Sequence, residues 1–330
     1  MELRDKVVLI TGGCGLIGST IADLLSRDEH VRKVVVIDNL SRGSPLNLEE
    51  ARKLAKVELI QKDIRAPGEI RPHFDGVDVV FHQAALRITA CAEKPRECLE
   101  VLVDGTFNVL EASVAAGVKK VIAASSASIY GAATLFPTEE DHHPYGNRTL
   151  YGAAKLANEG MLRAFHEMYG LPYVALRYFN VYGPRMDVFG KYTEVLIRWL
   201  DCLDRGERPK IFGDGKATMD FVFSEDIARA NVLAARSDVS DEVFNVASGT
   251  ETTLLGLLEA LLQVTGRSDV KPEFLPERAE NPVPRRLADV SKAAERLGFR
   301  ARIGLAEGLR RLVEWRKHAI AANQWQEYSQ

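Results

Sequence analysis

Short apolar runs recur along the first half of the chain and alternate with amphipathic stretches. The runs are rich in valine and isoleucine and do not alternate strictly with polar residues, which is typical of strands buried on both faces. The stretches between them, at about 16–28, 93–116 and 149–169, have the apolar spacing of helices. The predicted strands are Val7–Ile10, Val34–Ile37, Val57–Ile60, Val77–Phe81, Val121–Ala124 and Tyr173–Leu176.

Strand–helix alternation of this kind predicts an α/β fold, in which right-handed crossovers build a doubly wound parallel sheet. After residue 182 the pattern loosens into a helix near 191–205, short strands at Pro209–Phe212, Asp220–Phe223 and Val243–Val246, and two closing helices. We expect one domain from residues 1–180 with about 221–248. Residues 181–220 and 249–330 are expected to form a smaller, discontinuous lobe over the carboxyl ends of the strands, where ligands of such sheets bind.

Composition narrows the classes of partner. The chain has 330 residues, 46% of them hydrophobic, and a net charge of −3. That charge gives no global attraction for nucleic acid or for an anionic membrane, and no apolar stretch has the length of a membrane span. We therefore expect a cytoplasmic protein with no nucleic-acid or membrane partner. The four cysteines form no CxxC pair and no metal-ligand set, so free thiols and no metal site are predicted.

A glycine-rich turn follows the first predicted strand. Gly12, Gly15 and Gly18 lie where a strand passes into a helix, and Asp38 ends the second strand 20 residues after Gly18. This arrangement is typical of a Rossmann dinucleotide site: the turn receives the pyrophosphate and the carboxylate holds the adenosine ribose. A carboxylate there favours NAD over NADP. Arg42 weakens that preference, because a guanidinium can accept a 2′-phosphate.

A tyrosine and a lysine four residues apart supply candidate chemistry. Tyr151 and Lys155 share one face of a predicted helix. A nearby ammonium favours the phenolate, so we expect Lys155 to lower the pKa of Tyr151 and to hydrogen-bond the nicotinamide ribose. Ser126, at the end of the preceding strand, provides a hydroxyl that can polarise a substrate oxygen. The three predicted catalytic residues are therefore Ser126, Tyr151 and Lys155.

Several motifs in this order resemble one protein family along essentially the whole chain. The sequence is similar to the sugar-nucleotide epimerase/dehydratase branch of the extended short-chain dehydrogenases, and most of all to UDP-hexose 4-epimerases. The motifs that carry the resemblance are Thr11-Gly-Gly-Cys-Gly-Leu-Ile-Gly18, Asp38-Asn-Leu40, Phe81-His-Gln-Ala-Ala85, Ser125-Ser-Ala-Ser-Ile-Tyr-Gly131, Tyr151-Gly-Ala-Ala-Lys155, Arg177-Tyr-Phe-Asn-Val-Tyr-Gly-Pro184, Asp220-Phe-Val-Phe-Ser-Glu-Asp226 and Leu287-Ala-Asp-Val-Ser-Lys292.

The resemblance implies NAD as cofactor and a sugar nucleotide, a UDP-sugar in the first place, as substrate. Tyr151 would take the proton of the sugar 4-hydroxyl while NAD+ accepts the C4 hydride. The transient 4-keto sugar would then rotate and be reduced on its other face. The substrate contacts that the family motifs imply are Ser126, Asn180, Phe212 and Arg278. The implied cofactor contacts are Gly12, Gly15, Leu16, Ile17, Gly18, Asp38, Asn39, Leu40, Arg42, Gly43, Asp63, Ile64, Gln83, Ala84, Ala85, Arg87, Tyr151, Lys155 and Phe179.

Other activities of the same family differ in the residues after the catalytic hydroxyl. The 4,6-dehydratases carry an Asp-Glu pair there, and the decarboxylases carry a Glu two residues on, whereas Ala127 and Ser128 follow Ser126 here. Epimerisation is therefore favoured, with net redox at C4 (a ketoreductase or dehydrogenase) as the alternative. Dehydration or decarboxylation is less favoured, and a non-catalytic NAD-binding protein has no use for the catalytic set.

Two further expectations follow from the resemblance. Met219 occupies a position where relatives often have a diphosphate-binding arginine, so that contact is expected either to be weaker or to shift to another residue such as Arg185 or Lys191. The helices near 93–116 and 149–169 match those that form a homodimer in relatives.

Overall fold

The fold is built around one parallel sheet, as a computed structural model of residues 2–188, 190, 193–277 and 283–321 shows. All seven strands of this sheet run parallel, in the order β10-β6-β5-β4-β1-β2-β3. The strands are β1 (Lys6–Thr11), β2 (Val31–Asp38), β3 (Val57–Gln61), β4 (Val79–His82), β5 (Lys120–Ser126), β6 (Tyr173–Tyr178) and β10 (Glu242–Val246). The predicted α/β class and doubly wound Rossmann sheet are confirmed.

Helices cover both faces of the sheet. The α-helices of the described residues, some of which lie beyond the sheet, are α1 (Leu16–Arg27), α2 (Glu49–Arg52), α3 (Pro67–Ile70), α4 (Ile88–Glu93), α5 (Pro95–Leu99), α6 (Gly105–Ala115), α7 (Leu150–Tyr169), α8 (Val195–Asp204), α9 (Ser224–Arg236), α10 (Leu254–Val264), α11 (Ser291–Leu297) and α12 (Leu305–Ala321). Alternate residues of β1 enter two different cores: Val8 and Ile10 pack on the side of α1 and α9, and Val7 and Leu9 on the side of α6 and α7. Burial on both faces is why the strand sequences lack alternation.

Two small sheets lie beyond the central one. The first has the order β11-β9-β7, formed by β7 (Asn180–Tyr182), β9 (Thr218–Phe223) and β11 (Glu251–Thr253). The second pairs β8 (Lys210–Phe212) with β12 (Glu273–Leu275). Residues of α8, α10 and α12, including Trp199 of α8, share a separate apolar core with Tyr182 of β7. Within the described ranges, no helix is long and apolar enough to cross a membrane.

The helix predicted over 93–116 is wrong in detail. The segment is broken into α4 and α5, a π-helical turn at Glu100–Asp104, and α6. α5 begins at Pro95, and the preceding residue, Lys94, has backbone angles outside the helical region (φ −128°, ψ 71°). A proline lacks the amide hydrogen and disfavours helical geometry in the residue before it, so the helix ends there.

The prediction of free thiols is also wrong for two cysteines. Cys91 and Cys98 form a disulfide with a Cα–Cα distance of 4.8 Å. In one unbroken helix, residues seven apart would be separated by about 10 Å along the axis. The break between α4 and α5 folds the chain back and brings the sulfurs together. Cys14 and Cys202 are free, as predicted, and both are buried.

Candidate active site

The glycine turn between β1 and α1 leaves the first turn of the helix open. Gly12 has a left-handed φ of +66°, and a Cβ on Gly18 would lie 2.3 Å from the Gly12 carbonyl oxygen, so no larger side chain fits either position. Gly15 is the N-cap residue of α1 and provides no side-chain cap. Uncapped amides at a helix N-terminus bind anions such as a pyrophosphate. The turn therefore fits the dinucleotide predicted for it.

Asp38 closes the far end of this site at the end of β2. Its side chain is buried, and its two oxygens accept hydrogen bonds from the backbone amides of Cys14 (2.9 Å) and Leu40 (2.8 Å). Burial raises the pKa of Asp38, and the two amides oppose that effect. Each oxygen keeps a further lone pair, so the carboxylate can also accept from ribose hydroxyls. Beside it, the Asn39 amide donates to Asp63 at 2.9 Å.

A cavity of about 1000 Å³ runs from the glycine turn to the small sheets. Leu40 and Lys155 are predicted cofactor contacts that do not line it, and Arg278 lies outside the described residues. The predicted site residues that line it are Gly12, Gly15, Leu16, Ile17, Gly18, Asp38, Asn39, Arg42, Gly43, Asp63, Ile64, Gln83, Ala84, Ala85, Arg87, Ser126, Tyr151, Phe179, Asn180 and Phe212. The fold therefore brings most of the predicted site together around one space.

The predicted catalytic hydroxyls meet in the middle of this cavity. Ser126 ends β5, and Tyr151 lies in the first turn of α7, where the Thr149 side chain caps the helix by accepting from the Gly152 amide. The side chains of Ser126 and Tyr151 are hydrogen-bonded to each other. The hydroxyl of Ser125, the preceding residue of the strand, donates to Glu159 at 2.5 Å. Ser126 is thus the hydroxyl available to a ligand.

Lys155 lies one helical turn behind Tyr151. Its ammonium is 5.9 Å from the centre of the Tyr151 ring and donates to the backbone oxygen of Ala124 at 2.7 Å. Burial lowers the pKa of Lys155 to about 8, and the negative charge of Glu159 partly offsets this. The shared face predicted from the spacing is present.

The prediction that Lys155 lowers the pKa of Tyr151 is wrong. Burial raises the pKa of Tyr151, because a buried phenolate loses its hydration. The hydrogen bond from Ser126 and the charges of Arg286 and Arg42 act in the opposite direction but do not outweigh burial. The cations that lower this pKa are arginines rather than Lys155. The positive nicotinamide ring of a bound NAD+ would add to them.

The predicted substrate contacts lie at the other end of the cavity. Asn180 lines it from β7, and its amide donates to the backbone oxygen of Asp220 at 3.3 Å. Phe212 lines it with 38% of its surface exposed. Phe179 is buried against the ring of Tyr130 and also reaches the cavity.

Several predicted arginines line this site, and Arg286 is one that the sequence patterns missed. Arg87 pairs with Glu194 at 2.6 Å, and Arg42 approaches Asp187 at 3.9 Å. Arg185, expected as a substitute diphosphate contact, lines the cavity but pairs with Asp23 at 2.7 Å, and Lys191, the other candidate, lies outside the described residues. Arg286 also lines the cavity. The sequence signal for it was the doublet Arg285-Arg286, since alternation along an extended segment turns one of two neighbours inward.

The histidines have structural roles. His82 is buried, with its ring nitrogens 2.7 Å from the Thr11 hydroxyl and 2.9 Å from the Thr106 hydroxyl. Burial, with a smaller effect of Lys155, lowers the pKa of His82 to about 3. His142 contacts Thr134 in a loop. Across the described part of the chain, no group of three or more His, Cys, Asp or Glu side chains is placed to hold a metal ion.

Comparison with known proteins agrees with this geometry. A UDP-glucose 4-epimerase of Mycolicibacterium smegmatis is 37% identical over 315 residues, covering 93% of this chain and 97% of the relative. A putative UDP-glucose 4-epimerase of Methanocaldococcus jannaschii is 33% identical over 314 residues, covering 94% and 99%. A UDP-N-acetylglucosamine 4-epimerase from Methanobrevibacter ruminantium M1, solved in complex with UDP-N-acetylmuramic acid, has a TM-score of 0.89 at 35% identity, covering 96% of this chain and 99% of that one.

The family resemblance drawn from the motifs is confirmed by these relatives and by a family model. The model of the NAD dependent epimerase/dehydratase family matches residues 8–247, which include the glycine turn, Asp38, Ser126, Tyr151 and Lys155. The chain belongs to the NAD dependent epimerase/dehydratase family.

Proposed function

We propose that this protein is an NAD-dependent sugar-nucleotide 4-epimerase of the UDP-hexose type, working through a transient 4-keto sugar. The observation that carries the proposal is the hydrogen-bonded pair of Ser126 and Tyr151, which faces the same cavity as the glycine turn and Asp38. The names of the relatives, UDP-glucose and UDP-N-acetylglucosamine 4-epimerases, support the same reaction.

Each residue of the site has a separate role in this reaction. The glycine turn and Asp38 would hold NAD, which when bound accepts the C4 hydrogen with its electron pair and later returns it. Tyr151 removes the proton of the sugar 4-hydroxyl and gives it back to the 4-keto oxygen. Ser126 donates a hydrogen bond to that oxygen, and the Lys155 ammonium lies 5.9 Å from the centre of the Tyr151 ring. Acid–base transfer by a placed side chain contributes about 10²–10⁴-fold to the rate.

The residues after Ser126 support epimerisation over elimination. Ala127 and Ser128 are buried beside it, and neither carries an acid for proton work at C5 or C6. A 4-ketoreductase or dehydrogenase remains the second candidate, since it needs the same hydroxyl pair. The two differ in redox balance: the epimerase recycles its cofactor, whereas the reductase consumes one NADH for each sugar.

The experiment that tests the proposal is turnover of UDP-sugars followed by NMR of the C4 epimers. We expect interconversion without net change in NADH absorbance, and a loss of about 10²–10⁴-fold in kcat for Tyr151→Phe. Tyr145→Phe is the matched control, because Tyr145 is 79% exposed in a loop. Stoichiometric NADH formation from added NAD+ would favour the C4 dehydrogenase, and NADH oxidation with a 4-keto sugar nucleotide would favour the ketoreductase. Full turnover by Tyr151→Phe would refute the role of the tyrosine.

We further propose a homodimer formed through α6 and α7. Both helices expose large apolar side chains, Phe107 at 42% and Leu156 at 38%, and α7 also exposes Met168 and Tyr169. A second copy of the chain would bury this surface. Light scattering should give twice the monomer mass, and Phe107→Glu should lower it. Leu135→Glu, in a loop outside these helices, should leave the mass unchanged.

The domain division is likewise a proposal. Residues 1–180 with about 221–248 would bind NAD, and residues 181–220 with 249–330 would bind the sugar nucleotide. The separate apolar core around Trp199 supports the second unit. The cytoplasmic location stays a prediction.

A further inference from the structure

The segment that carries Arg286 is fixed to its neighbours on both sides. Toward β9, the Arg286 amide donates to the Thr218 oxygen, and the Thr218 amide donates to the Pro284 oxygen, both at 2.9 Å. Toward the loop after β5, the Thr138 amide donates to the Leu287 oxygen at 2.8 Å. These bonds hold the backbone extended, so neighbouring side chains leave it in opposite directions.

The two arginines of this segment have opposite surroundings. Arg285 turns outward, forms two hydrogen bonds to Glu251 (2.7 and 2.9 Å), and stacks 4.6 Å over the ring of Phe136. Arg286 turns into the cavity, close enough to Tyr151 for their charges to interact. Its Nε is buried and has no hydrogen-bond partner, and none of the described carboxylates forms an ion pair with it.

Arg42, the other arginine whose charge acts on Tyr151, has an acidic neighbour in the protein, since it lies 3.9 Å from Asp187. Arg87, which also lines the cavity, pairs with Glu194 at 2.6 Å. A buried polar atom without a partner, such as the Nε of Arg286, costs free energy, and burial lowers the pKa of this guanidinium. The chemical group that a guanidinium binds best is a carboxylate or phosphate, through two parallel hydrogen bonds. Arg286 is therefore placed to receive an anion from the ligand.

The position of Tyr151 decides which part of the ligand supplies that anion. This step rests on the proposed function, in which Tyr151 acts at the sugar C4 oxygen. The diphosphate is attached to C1, on the opposite side of the ring from C4. The carbons next to C4 are C3 and C5, so a group near both Arg286 and Tyr151 belongs to the sugar. An acid carried on C5, as in a uronic acid, is the simplest group that meets this requirement.

We propose that Arg286 binds a sugar carboxylate, so that the preferred substrate is a nucleotide-linked acidic sugar, such as a UDP-uronic acid, rather than a neutral hexose. The carboxylate is bound and not transformed: the epimerisation inverts C4 and leaves the C6 carbon in place. Ser128, which lines the same cavity without an acid group, is consistent with its retention.

The test compares UDP-glucuronic acid with UDP-glucose in the wild-type protein and in Arg286→Gln, with Arg285→Gln as the matched control. We expect the wild type to favour the acid by at least about 10-fold in kcat/KM. Arg286→Gln should lower the acid-to-neutral ratio of kcat/KM about 100-fold, mostly through KM. The reason is that the sugar carboxylate loses its charged partner. Arg285→Gln should leave the ratio within about 3-fold.

Binding measurements separate this proposal from the proposed function. Calorimetry of UDP-glucuronic acid, UDP-glucose and UDP alone on the NAD-loaded protein reads the same preference without turnover. Preference for the acid in binding, with no epimerisation of either sugar, would refute the 4-epimerase and leave the role of Arg286 intact. An unchanged ratio in Arg286→Gln, or an equal loss of affinity for all three ligands, would overturn the proposal, the latter by assigning Arg286 to the diphosphate. If Arg286→Gln does not fold, Arg286→Lys serves instead, because it keeps the charge and loses the two parallel hydrogen bonds of the guanidinium. Its acid-to-neutral ratio of kcat/KM should be lower than that of the wild type but still above that expected for Arg286→Gln.

Discussion

Replacing Glu159 by glutamine should destabilise the protein through the buried network beneath the active site. Arg177 donates to both Glu159 oxygens, from Nε at 2.9 Å and from Nη2 at 2.6 Å, and the two side chains are only 8% and 9% exposed. The hydroxyl of Ser125 donates to the same carboxylate. The glutamine would leave a buried guanidinium without its counter-charge, which costs about 3–5 kcal/mol.

The measurement is urea unfolding followed by tryptophan fluorescence, with Glu58→Gln as the control. Glu58 pairs with Lys33 on the surface, with side chains 51% and 46% exposed, so its loss should cost less than about 1 kcal/mol. A loss for Glu159→Gln no larger than that of Glu58→Gln would refute the reasoning, because it would mean that the buried guanidinium is solvated by other means.

The same substitution has an expected effect on pH dependence. The charge of Glu159 raises the pKa of Lys155, which burial holds at about 8. Without it, Lys155 should lose its proton at a lower pH, so the fall of activity on the alkaline side should move to lower pH. An unchanged alkaline limb in a folded Glu159→Gln protein would contradict this coupling.

Three further outcomes are expected. Gly18→Ala should abolish NAD binding measured by calorimetry, because the new Cβ would lie 2.3 Å from the Gly12 oxygen. His82, with a folded pKa of about 3 against about 6.5 when unfolded, takes up a proton only on unfolding between those values. Stability should therefore fall with falling pH, by about 1.4 kcal/mol per pH unit from this residue, and His82→Gln should flatten that slope in urea titrations. Thiol titration of the unreduced, denatured chain should find two free thiols, and four would contradict the Cys91–Cys98 disulfide.

Local sequence patterns determined the parts of this protein that depend on neighbouring residues. Apolar runs located the strands, because a strand buried on both faces needs apolar side chains along its whole length. The glycines, Asp38 and the spacing of Tyr151 and Lys155 identified the candidate site, because turn geometry and helical periodicity act over a few residues.

Only the tertiary structure decided how distant segments meet. It paired Cys91 with Cys98 across a helix break, paired the Ser125 hydroxyl with Glu159, and placed Arg286 in the same cavity as Tyr151. The pKa of Tyr151 also depends on the fold, because burial opposes the cations around it and burial is not a property of spacing along the chain. Desolvation and unpaired charge arise from atoms far apart in sequence, so the sequence could name the reacting pair but not the electrostatic environment in which it works.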